Sequence, residues 1–209
     1  MADLGGSFTC LLQQMGNRKG NVIVVTSAER GVGKTTVSTM LARSLAKSGK
    51  RALLIDADLR NPSVAAHMDL HPLIGFAEAV SGQATDSEAI VSTDDPRLDV
   101  LPGRKSSDGF DPELIANGMF SSALARWRAS YDVILLDSPP VLAAADASIL
   151  ARHADGVILI AWAGRTQRSE IMHAMESLNS AGGSLMGTIF IQQRHRSRYG
   201  QPYSYDYGA

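Results

Sequence analysis

The sequence predicts an α/β fold in which a mostly parallel sheet carries helices on both faces. Short, continuous apolar runs of strand length alternate with stretches of helical periodicity along most of the chain. Strands that are apolar throughout are typical of parallel sheets covered on both sides. Three of these runs end in glycine-rich or acidic residues, as expected where the carboxyl ends of parallel strands form a ligand site.

Size and composition indicate one ordinary globular domain. The 209 residues can enclose a sizeable core, and the formal net charge of −1 gives no reason to expect attraction to nucleic acid or anionic lipid. The single cysteine, Cys10, excludes an internal disulfide and fits a reducing compartment. No apolar run approaches the roughly 20 residues of a membrane helix, and the first ten residues do not resemble a secretory signal. We therefore expect a cytosolic protein or a cytosolic part of a larger assembly.

The chain divides into a weakly patterned segment at 1–20, a domain at 21–191 and a tail at 192–209. The tail lacks apolar periodicity and is expected to be disordered. Within the domain, apolar runs predict strands at 22–25, 52–55, 98–101, 132–136, 156–162 and 185–191. Helical periodicity predicts helices at 34–48, 144–152 and 166–180, with shorter helical stretches within 61–95 and 112–130.

The stretch VIVVTSAERGVGKTT, residues 22–36, has the order of a phosphate-binding P-loop: strand, glycine turn, Lys-Thr, helix. Its two glycines let successive N–H groups point at phosphate oxygens, and the helix start adds partial positive charge. Lys34 can reach the β- and γ-phosphates and Thr35 can ligate Mg²⁺. Ala28 stands where the general pattern has its first glycine. The predicted ATP-binding residues are Glu29, Arg30, Gly31, Val32, Gly33, Lys34, Thr35 and Thr36.

Acidic residues end two further strands. Asp137 follows four apolar residues, the Walker B arrangement, in which a carboxylate holds Mg²⁺ beside the P-loop threonine. Asp56 and Asp58 follow another strand at a spacing of two. Two carboxylates beside bound Mg²⁺ and ATP can share the work, one ligating the metal and the other accepting a proton from an attacking hydroxyl. One of the pair could instead be only a turn residue.

The tail concentrates aromatic residues that a disordered segment normally lacks. Four of the chain's five tyrosines lie here, at Tyr199, Tyr203, Tyr205 and Tyr207. Their phenols could stack on a partner or accept a phosphoryl group. Stacking on single-stranded nucleic acid, helped by neighbouring arginines, is disfavoured because the cluster is short and the chain has no broad positive excess.

These motifs together resemble the catalytic domain of the bacterial tyrosine kinases of capsule and exopolysaccharide synthesis. The similarity runs from about residue 21 to the C-terminus. SAERGVGKTT resembles the family's Walker A motif, LLIDADLRNP its second acidic motif of the form DxDxR, and ILLDSPP its Walker B motif followed by two prolines. A P-loop is shared by many proteins, whereas DADLR, DSPP and a terminal tyrosine cluster in one chain are specific to this family.

The resemblance implies transfer of the γ-phosphate of ATP, with Mg²⁺ as cofactor, to tail tyrosines of a neighbouring copy. Asp56 is the predicted base, and Arg60 closes the DxDxR motif. The implied partners are the protein itself, a membrane polysaccharide co-polymerase that activates it, and a tyrosine phosphatase. The implied location is the inner face of the cell membrane. Carried over, the catalytic residues are Lys34, Asp56, Asp58 and Asp137, the metal ligands Thr35, Asp58 and Asp137, and the acceptors Tyr199, Tyr203, Tyr205 and Tyr207.

Several positions depart from the family pattern and keep two alternatives open. Asp3, Gly6 and Thr9 stand where family members have a Glu and two Arg used in oligomerisation, and Ile191 replaces an Asn near the nucleotide base. One alternative is a switch ATPase like MinD and ParA. In those ATPases a lysine of the P-loop reaches across the dimer, and Glu29 occupies its position here, which argues against this alternative. The other is a regulator that binds nucleotide without catalysis.

Overall fold

The computed structural model describes residues 19–105 and 117–192, with the single residues 13 and 113. Most of the segment 1–20 and all of the tail from residue 193 therefore lie outside the described residues. The predicted acceptor tyrosines, the expected disorder of the tail and the position of the missing oligomerisation arginines fall there. Within the described part of the chain, no helix combines the length and apolar character needed to cross a membrane.

A seven-stranded sheet forms the centre of the domain, in the order β3-β4-β2-β5-β1-β6-β7. All neighbouring pairs are parallel except β3 with β4. The predicted fold class is confirmed. The strands are β1 (Asn21–Ser27), β2 (Ala52–Asp56), β3 (Val91–Ser92), β4 (Leu98–Leu101), β5 (Val133–Asp137), β6 (Gly156–Trp162) and β7 (Leu185–Ile191).

Helices cover both faces of this sheet because alternate residues of each strand point to opposite sides. On β1, Val22 and Val24 join one core, and Ile23 and Val25 join the other. The first core is shared with the helices at 76–81, 86–89, 119–130, 146–151 and 168–180, and the second with the helices at 34–47 and 64–67. The helices are α1 (Lys34–Lys47), α2 (Val64–His67), α3 (Phe76–Ser81), α4 (Asp86–Ala89), α5 (Met119–Ser130), α6 (Asp146–Ala151) and α7 (Arg168–Ser180).

The sheet differs from the sequence-based prediction at one edge and at several strand ends. The short β3, which lies within a region predicted to be helical, pairs antiparallel with β4; two residues are too few to show a strand periodicity. Strand β1 continues through Thr26 and Ser27, which are not apolar, because both residues pair with β6. Pairing with neighbours therefore extends strands beyond their apolar runs.

Three aromatic side chains pack under α3 and α5, and we call Phe76, Phe120 and Trp127 the aromatic cluster. All three are essentially buried, and their ring centroids lie 5.9 to 6.5 Å apart. Phe120 contacts Phe76 and Trp127 edge-on, and edge contacts stabilise a core beyond the area that they bury. The cluster belongs to the core on the α3 side of the sheet.

Candidate active site

A cleft of about 300 Å³ opens at the carboxyl ends of β1, β2 and β5. These strands are adjacent in the order β2-β5-β1 and parallel, so the loops that follow them meet at one edge of the sheet. The cleft is lined by Ser27, Glu29, Arg30, Gly31, Gly33, Lys34, Thr35, Thr36, Asp58, Arg60, Asn61, Ser63, His67, Pro139, Pro140, Ala143 and Ala144.

The glycine turn has the conformation that an anion cradle requires. Gly31 and Gly33 have φ angles of 77° and 85°, in the left-handed region that glycine adopts without steric strain. Helix α1 begins directly after Gly33, and within the described residues it has neither a capping side chain nor an acidic residue in its first turn. The N–H groups at the start of this helix are therefore free of capping side chains and available to bind phosphate oxygens in the cleft.

Lys34 joins the P-loop to the two acidic strand ends. Its Nζ donates a hydrogen bond to Oδ1 of Asp137 at 3.2 Å and lies 3.9 Å from Oδ2 of Asp58. All three side chains are almost or fully buried. A buried charge without a partner is strongly unfavourable, so the carboxylates hold Lys34 in place at the bottom of the cleft. A phosphate that enters the cleft would compete with these carboxylates for the ammonium group of Lys34.

Hydroxyl and carboxylate oxygens converge beside Lys34 in a donor set that suits Mg²⁺. Thr35 Oγ1 donates to Oδ2 of Asp137 at 2.7 Å and lies 2.9 Å from Oγ of Ser63. Ser38 Oγ, one helical turn after Lys34, donates to Oδ1 of Asp137 at 2.9 Å. Mg²⁺ prefers oxygen ligands and commonly takes one or two from the protein and the others from phosphate and water. The residues present therefore fit the predicted metal.

The other acidic pair divides into an inner and an outer carboxylate. Asp56 is fully buried and does not line the cleft, whereas Asp58 does. Burial, reinforced by the nearby charge of Asp137, raises the pKa of Asp56 to about 7. Burial also raises the pKa of Asp58, opposed by the positive charge of Lys34. Oδ2 of Asp56 accepts hydrogen bonds from the N–H groups of Ser63 and Val64 at 2.8 and 2.9 Å, at the start of α2.

All but one of the residues predicted to bind ATP line the cleft. The Val32 side chain points into the core rather than lining the cleft. Glu29 lines the cleft and accepts a hydrogen bond from Thr166 Oγ1 at 3.1 Å, which ties the P-loop to the loop after β6. Ile191 approaches the P-loop, since its Cδ1 lies 3.5 Å from the point where a Cβ on Gly33 would stand.

The structure adds cleft residues that the sequence motifs do not mark. Asn61, Ser63 and His67 line the cleft from the loop after β2 and from α2. Nδ1 of His67 lies 2.9 Å from the Ser63 carbonyl oxygen, and its Nε2 lies 3.4 Å from Thr36 Oγ1. A helix-spacing argument could have found Ser38, which follows Lys34 by four residues. Nothing in the local pattern indicates that α2 folds back over α1.

Comparison with known proteins agrees with this geometry. The family profile of the AAA domain matches residues 20–175. The tyrosine-protein kinase CpsD of Streptococcus agalactiae serotype III is 34% identical over 177 residues, which are 84% of this chain and 76% of that protein. The crystal structure of the VpsO kinase domain has a TM-score of 0.83 and 30% identity, covering 91% of this chain and 93% of that one.

A cell-division ATPase shares the fold with lower similarity. The cell-division ATPase MinD of Pyrococcus furiosus has a TM-score of 0.71 and 24% identity, covering 82% of this chain and 71% of that one. At that level of identity the likeness concerns the fold alone. The similarity in sequence to CpsD and in sequence and structure to VpsO is more specific. The chain therefore belongs to the family of bacterial tyrosine-protein kinases, within the larger group of AAA-domain proteins.

Proposed function

We propose that this chain is an ATP-dependent tyrosine autokinase that transfers the γ-phosphate of ATP to the tail tyrosines of a neighbouring copy. The observation that carries the proposal is the contact of Lys34 and Thr35 with Asp137. These contacts unite the P-loop with an oxygen donor set for Mg²⁺, and phosphoryl transfer needs mainly such positioning and charge stabilisation. The acceptors are Tyr199, Tyr203, Tyr205 and Tyr207.

The residues predicted to bind nucleotide and metal each have a defined task in this proposal. The N–H groups from Gly31 to Thr36 bind the phosphates, and Lys34 exchanges Asp137 for phosphate oxygens when ATP enters. Thr35, Asp58 and Asp137 hold Mg²⁺, which neutralises charge on the phosphates when bound. Glu29 and Arg30 border the nucleotide, and their positions on the cleft wall support that role.

Asp56 is the proposed proton acceptor for the tyrosine hydroxyl. A pKa of about 7 suits a group that takes up a proton near neutral pH. Its burial adds a condition, because both of its oxygens already accept hydrogen bonds from backbone N–H groups, Oδ1 from Asp58 and Oδ2 from Ser63 and Val64. Because Asp56 is buried and does not line the cleft, a tyrosine hydroxyl reaches it only if the residues around it move.

In the cell we propose a role in the production and export of a capsule or exopolysaccharide. The support is that CpsD is named as a tyrosine-protein kinase and that EpsB of Ralstonia solanacearum, named as a putative one, is 32% identical over 208 residues. The proposed partners are a second copy of the chain, a membrane polysaccharide co-polymerase that activates it and a tyrosine phosphatase. The proposed location is the cytoplasmic face of the membrane, reached through the co-polymerase.

A mixing experiment tests both the activity and its direction. One copy carries Lys34→Met and keeps its tail tyrosines, and the other is wild type in the cleft but has Phe at all four tail positions. With Mg²⁺-ATP, we expect phosphotyrosine on the Lys34→Met copy only when the second copy is present. Each variant incubated alone serves as the control.

Four outcomes would contradict the proposal in different ways. No phosphotyrosine in the wild-type chain, even with a membrane activator peptide, would refute the kinase function. Phosphate release without phosphotyrosine would favour a switch ATPase. Nucleotide binding with neither product would favour a non-catalytic regulator. Phosphotyrosine that forms in the wild-type chain but never on the Lys34→Met partner would restrict transfer to within one copy.

A further inference from the structure

Arg60 lies on the wall of the cleft, and its guanidinium is paired with a carboxylate behind that wall. Arg60 Nε donates a hydrogen bond to Oδ2 of Asp146 at 3.1 Å. The Asp146 side chain is 2% exposed, whereas that of Arg60 is 43% exposed. Asp146 is the first residue of α6, which follows the loop containing Pro139 and Pro140. The pair therefore joins the loop after β2 to the start of α6.

This pair differs from the other arginine ion pairs in the described part of the chain. Those pairs use carboxylates that are 27% to 80% exposed, such as Glu78 and Asp94. An exposed pair is loosely held and contributes little. A buried carboxylate cannot turn towards water, so Asp146 fixes the orientation of its partner far more firmly. Asp146, which does not itself line the cleft, thus orients the guanidinium group of Arg60.

The orientation leaves the terminal nitrogens of Arg60 available at the cleft. A guanidinium has five N–H donors, and the structure records for the described residues one hydrogen bond from this group, through Nε. The fork of Nη1 and Nη2 matches the oxygen geometry of a phosphate and binds it more specifically than an ammonium group does.

The position of Arg60 points to the outermost phosphate. It follows Asp58 by two residues in a turn closed by the hydrogen bond from Asn61 N to Asp58 Oδ1 at 3.1 Å. Asp58 in turn lies 3.9 Å from Lys34, the residue that reaches the β- and γ-phosphates. Arg60 therefore lines the cleft close in the chain to Asp58, one of the carboxylates proposed to hold the metal.

We propose that Asp146 is a positioning residue that holds Arg60 against the γ-phosphate, so that the cleft distinguishes ATP from ADP. The inference rests on the proposed function in so far as that function places a nucleotide triphosphate in this cleft. It adds a specific task for Arg60 and a residue, Asp146, that no motif of the phosphate-binding loops includes.

The affinities of the full-length chain for two nucleotides, measured by calorimetry, test this inference without requiring catalysis. The probes are ADP and the non-hydrolysable ATP analogue AMP-PNP, both with Mg²⁺. We expect Asp146→Asn to weaken AMP-PNP binding about tenfold, since a charge-assisted contact is lost, and to change ADP binding by less than about twofold. Asp86→Asn is the matched control, because it breaks the Arg126–Asp86 ion pair outside the cleft and should change neither affinity.

A second variant keeps the test decisive if Asp146→Asn does not fold. Arg60→Lys keeps the positive charge but loses Nε and the planar fork, and we expect the same selective loss for AMP-PNP. In the double variant the loss should be no greater than in Arg60→Lys alone, because both changes disable one unit. Equal losses for the two nucleotides, or no loss for either, would overturn the inference.

The outcomes also separate this inference from the proposed kinase function. A wild-type chain that binds both nucleotides, shows the selective loss in the variants and forms no phosphotyrosine would support Asp146 and refute the kinase. A wild-type chain that forms phosphotyrosine, with variants that keep their preference for AMP-PNP over ADP, would support the kinase and overturn the role of Asp146.

Discussion

The cleft and the aromatic cluster both lie against the same sheet, but they differ in how their buried polar groups are paired. In the cleft, Lys34, Thr35 and Asp137 are buried and bonded to one another. In the aromatic cluster, Trp127 Nε1 is buried and has no hydrogen-bond partner among the described residues. Burial raises the pKa of Asp58 on the cleft wall and of Asp56 behind it, whereas the cluster is almost purely apolar.

This difference indicates a division of labour between the two regions. Buried charges contribute little or negatively to stability once their desolvation is included, so their arrangement serves ligand binding. Buried aromatic rings contribute several kcal/mol each and bind nothing. Substitutions in the cleft should therefore alter function more than folding, and substitutions in the cluster should do the reverse.

The largest expected effect is on activity, from Asp137→Asn. We expect the initial rate of phosphotyrosine formation to fall at least about 10³-fold, because a charge that organises Lys34 and Mg²⁺ is lost. The free energy of unfolding in urea should change by less than about 2 kcal/mol, since Asp58 remains as the ionic partner of Lys34 and relief of repulsion with Asp56 offsets the weakened hydrogen bonds. Asp94→Asn, at an exposed ion pair, is the control. A chain too unstable to fold would contradict the comparison.

The next effect is on stability, from Phe120→Ala in the aromatic cluster. The change removes two ring contacts within the cluster and leaves a cavity, which should lower the free energy of unfolding by about 3–5 kcal/mol. At a temperature where the variant is folded, its affinity for ADP should equal that of the wild type. Phe190→Ala, at a side chain that is 59% exposed, should cost less than about 0.5 kcal/mol. A parallel loss of ADP affinity would mean that the two regions are coupled.

A smaller effect separates backbone strain from loss of the phosphate cradle. Gly33 and Gly82 have similar positive φ angles, and a Cβ at either meets no atom closer than 3.5 Å. Alanine at either position should therefore cost about 1–2 kcal/mol of stability, measured by urea unfolding. Gly33→Ala should in addition weaken ADP binding by about tenfold, because relief of the strain would shift the N–H groups of the loop and of the start of α1 that are proposed to bind the phosphates. Equal ADP affinities in both variants would argue against the cradle.

The smallest effect is a pH dependence at the rim of the aromatic cluster. Burial, together with the charge of Arg152, lowers the pKa of His153, whose ring contacts Phe120 edge-on at 5.4 Å. The unfolded chain then binds the proton more readily than the folded chain, so stability is full above pH 6.5, the ordinary value, and is lost as the pH falls below it. His153→Gln should flatten this part of the urea-unfolding profile between pH 7 and pH 5. A profile as steep as that of the wild type would assign the slope to other groups.

Local patterns were sufficient to predict most of the sheet and the parts of the cleft that lie next to strands. Apolar runs located β2, β4, β5, β6 and β7 to within a residue, because a strand buried on both faces must be apolar throughout. The P-loop could be predicted because its glycines, Lys34 and Thr35 are adjacent in sequence. Asp137 could be predicted because it ends a buried strand.

The sequence by itself determined the fold class, the phosphate-binding loop and the acidic strand ends, since each depends on residues close together in the chain. The tertiary structure decided what those residues contact. It placed Asp56 behind the cleft and Asp58 on its wall, folded α2 over α1 so that Ser63 meets Thr35, and brought Asp146 to Arg60 across 86 positions. Contacts of this kind depend on strand order and helix packing, which no local pattern encodes.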